Sequence, residues 1–157
     1  MICLRTVDAT MREQVLDLGP APGQARFSGI AVDTLPAAER HRTRHAVAIL
    51  RDEHAVGFLA LDHADPICAY TAPDPSVALR AFFVDARVQR QGIASAALAA
   101  LPAFVRSHHH QATSVVLTVN VSNLVAVQLY RRAGFVDTGR VHLGGTVGPQ
   151  HIFLLAL

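Results

Sequence analysis

Hydrophobic positions recur along this chain at two spacings, one suited to strands and one to helices, and the changes between them mark its elements. Ile2 to Val7 reads as a first strand. Thr10 followed three residues later by Glu13 has the form of a capping box, in which a hydroxyl and a carboxylate satisfy the first free N–H groups of a helix. A helix is therefore predicted to about Leu18, before Gly19-Pro20. Pro and Gly content makes Pro20 to Gly29 a loop. Ala46 to Arg51 and Ala55 to Leu61 form a hairpin joined by Asp52-Glu53-His54, and Asp62 to Pro75, with Pro66, Pro73 and Pro75, reads as a loop that carries Tyr70.

The second half repeats a strand-then-helix order. Val77 to Val84 is rich in β-branched and aromatic residues and carries Arg80 as its one charge, which suits a largely buried strand. Alternation places Arg80 on the side of Phe82 and Val84. Ala and Leu then recur at helical spacing over about Gln91 to Arg106. Pro102 removes the hydrogen bond to the carbonyl of Leu98 and is expected to kink that helix. Val115 to Val119 is a further strand, and Leu124 to Arg132 a further helix. The chain ends in strands around Val136 to Val141 and His151 to Leu155, linked by the turn Gly144 to Gly148. This order predicts a mixed α/β sheet with helices packed on it, and no internal repeat or domain boundary is evident.

The turn Gln89-Arg90-Gln91-Gly92-Ile93-Ala94 carries chemistry. It presents unpaired N–H groups at a helix N-terminus, where the helix dipole adds about half a positive charge, and such a terminus binds anions, phosphate above all. Gly92 stands where the backbone approaches something closely. The plainer alternative is an ordinary strand-to-helix connection bearing a surface Arg pair.

A second signature follows at the next strand-to-helix transition: Asn123, then Ala126, Leu129-Tyr130 and Gly134-Phe135. Together with Gln89, Gly92 and Ala94, spaced as in an acetyl-CoA loop, these residues resemble the GNAT N-acetyltransferase superfamily over about residues 77 to 140. The resemblance implies one domain spanning residues 1–157, of α/β (α+β) class. It also implies a mixed, mostly antiparallel central sheet of six to seven strands with helices on both faces. It further implies an enzyme that takes acetyl-CoA as cosubstrate and transfers the acetyl group to an amine by direct attack in a ternary complex. Dimers are common in the family, so a homodimer is a further expectation.

Residue roles come with the resemblance. The fourth and fifth strands are expected to splay, leaving main chain at Phe82, Phe83 and Val84 to bond the pantetheine arm. The N–H groups from Gln89 through Arg90, Gln91, Gly92, Ile93, Ala94 and Ser95 are expected to hold the pyrophosphate, with Arg87 and Arg90 adding charge. Asn123 orders the cofactor loop and Ala126 keeps its helix close. Tyr130 holds the family position of the acid that protonates the departing thiolate, with a packed aromatic as the alternative. A backbone N–H near Val84 is a candidate to polarise the carbonyl. The general base is not readable: some members carry a Glu at the position of Ala78, and water, Asp85, His45, His54 and His63 stay open as substitutes. The segment between the first two strands, which covers the acceptor in the family, offers Phe27, Asp33, Glu39 and His41, each of which is equally well a solvated side chain.

Composition narrows the classes. The 157 residues are 51% hydrophobic, enough for one packed core. A net charge of +2 is too small to suggest nucleic acid binding, and the N-terminus has no long apolar run, so a cytoplasmic protein with no membrane partner is expected. Cys3 and Cys68 suit free thiols, and His108-His109-His110 suits a solvated loop better than a metal site, because consecutive side chains diverge. Residues 1–85 hold 8 Arg against 11 carboxylates, and residues 86–157 hold 6 against 1. A basic second half suits a polyanionic cofactor, and an acidic first half suits a small cationic amine such as a polyamine. All 14 basic residues are Arg, which removes the lysine that a P-loop requires and leaves this protein no lysine of its own to acetylate. A non-catalytic acyl-CoA-binding module and a protein or peptide N-acetyltransferase are the alternatives.

Overall fold

The computed structural model describes residues 1–157. Its strands are β1 (Ile2–Thr6), β2 (Arg44–Arg51), β3 (His54–Asp62), β4 (Ser76–Val84), β5 (Ser114–Asn120), β6 (Val136–His142) and β7 (Gln150–Ala156). They form one seven-stranded sheet in the order β1-β2-β3-β4-β5-β7-β6. Every neighbouring pair is antiparallel except β4 and β5. The helices are α1 (Arg12–Leu16), α2 (Ala25–Ser28), α3 (Ala31–Arg40), α4 (Ile93–His108) and α5 (Leu124–Arg132), with a 3₁₀ segment at Pro66–Thr71.

Alternation along the central strands sends side chains into two cores. Val47, Ile49, Leu59, Leu61, Leu117 and Phe153 pack beneath α4 and α5. Their neighbours Ala48, Leu50, Phe58 and Ala60 pack beneath α1 and α3 on the opposite face. Phe58, Leu59, Leu61 and Phe153 are fully buried, each contributing roughly 1.5–3 kcal/mol through removal of apolar surface from water. Ile67 of the 3₁₀ segment covers the rest of that second face over Ala78, Val116 and Ile152.

Several local expectations are corrected. The helix after β1 is not closed by a capping box: Met11 is its N-cap and no side chain caps it. The turn before it is instead held by Asp8, whose Oδ1 accepts from Thr10 N–H, Thr10 Oγ1 and Met11 N–H. The loop at 20–29 contains α2, and α3 follows it with Pro36 inside. The proline-rich loop at 62–75 holds the 3₁₀ segment, capped by Asp65 through Ile67 N–H. Pro102 leaves the carbonyl of Leu98 without its helical donor, yet α4 continues to His108.

The His108-His109-His110 run is not wholly solvated. His108 stacks on Phe104 with ring centroids 4.1 Å apart, and His109 Nε2 lies 3.1 Å from Nδ1 of His45. The other nitrogen of His45 lies 2.6 Å from Thr6 Oγ1. Burial, reinforced by the neighbouring His109 and His108, pushes the His45 imidazole down to about 4, and burial likewise lowers His109. No helix is long and apolar enough to cross a membrane.

Two predictions follow from packing and protonation. A Cβ on Gly57 would stand 2.6 Å from the carbonyl oxygen of Phe83 and 2.8 Å from Ile49 Cδ1. Gly57→Ala is therefore expected to cost about 1–3 kcal/mol and lower Tm by several degrees, and an unchanged Tm would refute the contact. His45 binds its proton less readily folded than unfolded, so stability present above its ordinary value of 6.5 is lost as pH falls towards about 4. The lowered carboxylates Asp8, Asp52, Asp62 and Asp85 lose stability only at lower pH still. Tm measured from about pH 7 to about pH 5 should fall, and fall less in His45→Gln; parallel curves would exclude His45 as the source.

Candidate active site

The site begins where β4 and β5 part. They pair over Ser76–Ser114, Val77–Val115 and Ala78–Val116 only. Beyond that, β4 stays bonded to β3 as far as Val84 and Gly57, while β5 stays bonded to β7 along its whole length to Asn120 and Gln150. Each half-sheet therefore remains ordered while a wedge opens between them. Inner edges of β4 and β5 are left with main-chain groups that need partners.

A bulge sharpens the opening. Between the pairs Ala60–Arg80 and Phe58–Phe83, β3 has one residue and β4 has two, Ala81 and Phe82, with Ala81 at φ 53°. The extra residue reverses the alternation. Leu79, Phe82 and Val84 face the α4/α5 core, whereas Ala81 and Phe83 face the α1/α3 core. Arg80, opposite Ala60, shares the latter face. The expectation that Arg80 points with Phe82 and Val84 is thereby overturned.

One cavity of about 980 Å³ occupies the wedge and is lined by residues from both faces of the sheet. On the α4 side it meets the N-terminus of that helix. Gly92 is the N-cap at φ 76°, a left-handed conformation that favours glycine, and a Cβ there would meet nothing within 4 Å. Gly92, Ile93, Ala94 and Ser95, whose N–H groups open α4, border the cavity. Arg90, also left-handed at φ 60°, lines the same end. Gln89 is turned inward, its Nε2 donating to the carbonyl of Val84 and to Gln24 Oε1, both at 2.9 Å. That ties the loop to the end of β4 and to the segment before α2.

Across the wedge, Asn123 caps α5 by accepting from Ala126 N–H. Two turns on, Tyr130 lines the cavity with its ring between those of Phe82 and Phe135, centroids 6.2 and 5.6 Å away. It is 9% exposed, and burial pushes its phenol well above the ordinary range. It therefore holds its proton at neutral pH.

On the face of α2 and the 3₁₀ segment the cavity is walled by Phe27 and Ser28 of α2, Arg80, Asp65, His142 and Gln150. Asp65 is 6% exposed and accepts from Ile67 N–H with one oxygen and from Arg80 Nη1 with the other. His142 packs edge-on against Tyr70, with ring centroids 6.3 Å apart.

The sequence matches the model of the acetyltransferase (GNAT) family over residues 12–135. The chain belongs to the GNAT acetyltransferase family. It is 32% identical over 128 residues to YbbJ, an uncharacterised N-acetyltransferase of Bacillus subtilis (strain 168), covering 81% of this chain and 79% of that one. The same fold is found in an aminoglycoside acetyltransferase, AAC(6')-Ib, in complex with coenzyme A, at a TM-score of 0.75 and 16% identity over 99% of this chain and 95% of that one. A spermidine N-acetyltransferase from Vibrio cholerae in complex with CoA and spermine gives a TM-score of 0.73 at 14% identity, again over 99% and 95%. This GNAT protein is thus an N-acetyltransferase with the seven-stranded, mostly antiparallel sheet of its fold.

Of the residues singled out in the sequence, Phe82, Phe83, Val84, Gln89, Arg90, Gly92, Ile93, Ala94, Ser95, Asn123, Ala126 and Tyr130 all border the cavity. Gln91 does not: its Oε1 accepts from Arg51 Nη1 on the outer surface. Arg87, expected to face phosphate, instead clamps Asp85 and Asp17. The candidate bases Asp85, His45, His54 and His63 lie outside the cavity wall, as do Asp33, Glu39 and His41, and Ala78 is fully buried beneath Ile67. Sequence reasoning missed Asp65 and His142. Asp65 carries a capping signal, an acidic residue just before Pro66, but nothing local marks His142, which reaches the site only because β6 and β7 fold back beside β5.

Asp85, outside the wall, fastens the end of β4 to Gly19 and Arg87. Burial alone would raise its carboxyl, but the Arg87 guanidinium and the N–H groups of Gly19 and Arg87 hold it below the usual carboxylate range. Asp85→Asn leaves those donors without a charged partner and is expected to cost about 2 kcal/mol. A urea midpoint equal to that of the wild type would show that the clamp contributes nothing.

Proposed function

We propose that this acetyltransferase moves an acetyl group from acetyl-CoA to the primary amine of a small molecule. The observation that carries the reading is the single cavity that joins the N-terminus of α4, the unpaired edges of β4 and β5, and the protonated phenol of Tyr130.

The residues fit such a cosubstrate. An open helix N-terminus beginning at a left-handed glycine suits a pyrophosphate, with N–H groups from Gly92 to Ser95 as donors and Arg90 adding charge. Main chain of β4 at Phe82 to Val84, not paired by β5, suits the amides of a pantetheine arm, which bond like a strand. Asn123 and Ala126 border the same channel from α5.

Bound acetyl-CoA supplies an activated thioester carbonyl at the wedge. The acceptor amine enters from the face of α2 and the 3₁₀ segment and attacks as the free base. A carbon–nitrogen bond forms and the carbon–sulfur bond breaks. Tyr130 donates its phenolic proton to the departing sulfur. His142, the imidazole in the acceptor-side wall, takes the proton that the amine loses. Asp85 cannot do so, because it is buried, clamped and held ionised by Arg87. A cytoplasmic location accords with this chemistry.

Thiol release from acetyl-CoA, followed over a panel of amines, tests the reading. Tyr130→Phe is expected to lower kcat at least about tenfold, the effect of losing a general acid, while KM for acetyl-CoA stays within about twofold. Unchanged kcat would reject Tyr130 as the acid, and failure of the wild type to bind acetyl-CoA in calorimetry would reject the transferase reading itself.

A further inference from the structure

The acidic excess of the first 85 residues pointed to a cationic acceptor, but of its carboxylates only Asp65 reaches the cavity. Glu39 is spent on Arg12, Glu53 on Arg5, Asp62 on Arg44, and Asp17 and Asp85 on Arg87. Among the residues that wall the cavity the one carboxylate is Asp65, against the guanidiniums of Arg80, Arg90 and Arg132. Both oxygens of Asp65 are engaged, one by Ile67 N–H and one by Arg80. A second ammonium on the acceptor, as in a polyamine or an aminoglycoside, finds no free anion there.

Arg80 offers the opposite. The bulge at Ala81 turns it to the face from which the acceptor enters, and Asp65 fixes it through Nη1 alone. Its side chain is 41% exposed, and it stands in the cavity wall with the remaining N–H groups of its planar fork. Such a fork matches a carboxylate with two parallel hydrogen bonds. Arg90 borders the α4 end, whereas Arg80 stands in the wall beside the 3₁₀ segment that Asp65 caps; the guanidiniums of Arg26, 4.5 Å from the Phe27 ring, and Arg140, 5.9 Å from the Tyr70 ring, lie on aromatic faces outside that wall.

We infer that Arg80, held by Asp65, selects acceptors whose primary amine is accompanied by a carboxylate, that is, free amino acids rather than polyamines or aminoglycosides. The inference rests on the transferase reading above and concerns only what the acceptor end recognises. Phe27 and Ile67 supply the apolar wall against which the acceptor's side chain packs. Asp65 is a positioning residue: it touches no substrate and sets the direction of the fork.

The experiment compares matched acceptors. The twenty amino acids, their carboxamides and the corresponding decarboxylated amines are assayed for thiol release with the wild-type enzyme, beside spermidine and kanamycin. The best amino acid is expected to exceed its own amide in kcat/KM by at least about tenfold, the difference a charge-assisted pair makes. In Arg80→Gln that ratio should collapse towards one, mainly through KM, and Arg80→Lys, which keeps the charge but not the fork, should fall between. A wild-type ratio near one, a preference for polyamines, or an unchanged ratio in Arg80→Gln would overturn the inference. The wild-type comparison does not depend on the folding of any variant. Acetyl-CoA binding, followed by calorimetry in parallel, separates the two levels: binding without carboxylate preference removes the role of Arg80 alone, whereas no binding removes the transferase reading beneath it.

Discussion

Two parallel strands that pair for three residues and then separate set the terms for this molecule. A backbone edge in the middle of a sheet is costly to leave without partners, and a wedge there survives only if both halves are held from outside. Here β3 and β7 supply that support. β5 is bonded to β7 along all of its length, and β4 remains bonded to β3 on both sides of the bulge. Gly57 allows the last of these pairs to close, because no Cβ fits between it and Phe83. The wedge is thus an outcome of strong pairing elsewhere, not of local weakness.

The bulge at Ala81 gives the two faces of the wedge different chemistry. Without it, Arg80 and Phe82 would share a face. With it, aromatic surface and the Tyr130 phenol lie on the side of α4 and α5, and the guanidinium lies on the side of α2 and the 3₁₀ segment. One inserted residue separates the end at α4 from the end at α2 and the 3₁₀ segment.

Most carboxylates elsewhere are engaged within the structure. The Asp85–Arg87–Asp17 cluster, with Gly19 N–H, fastens the connection between α1 and α2 to the strand end, and Gln89 adds a bond to Gln24 in the same segment. Surface pairs such as Arg5–Glu53 contribute little stability, about 0–1 kcal/mol each, but they remove charge from the field around the cavity. What remains in the wall is Arg80, Arg90 and Arg132 against Asp65, a positive balance.

Much of this was legible in the residues. The strand-to-helix turn with Gly92, the cap at Asn123 and the position of Tyr130 are local features, set by contacts within a few positions, and composition and spacing reveal them directly. So are the hairpin and the two pairs of second-half elements, although their ends moved by a residue or two. The sequence by itself determined the family, the type of sheet and the cradle at the helix N-terminus. Only the tertiary structure decided which way Arg80 faces, because a one-residue bulge reverses alternation and leaves no mark in the local pattern. Tertiary pairing also decided which carboxylates are spent and brought His142 and Asp65 to the cavity, since those contacts join residues far apart in the chain and depend on how the whole sheet closes.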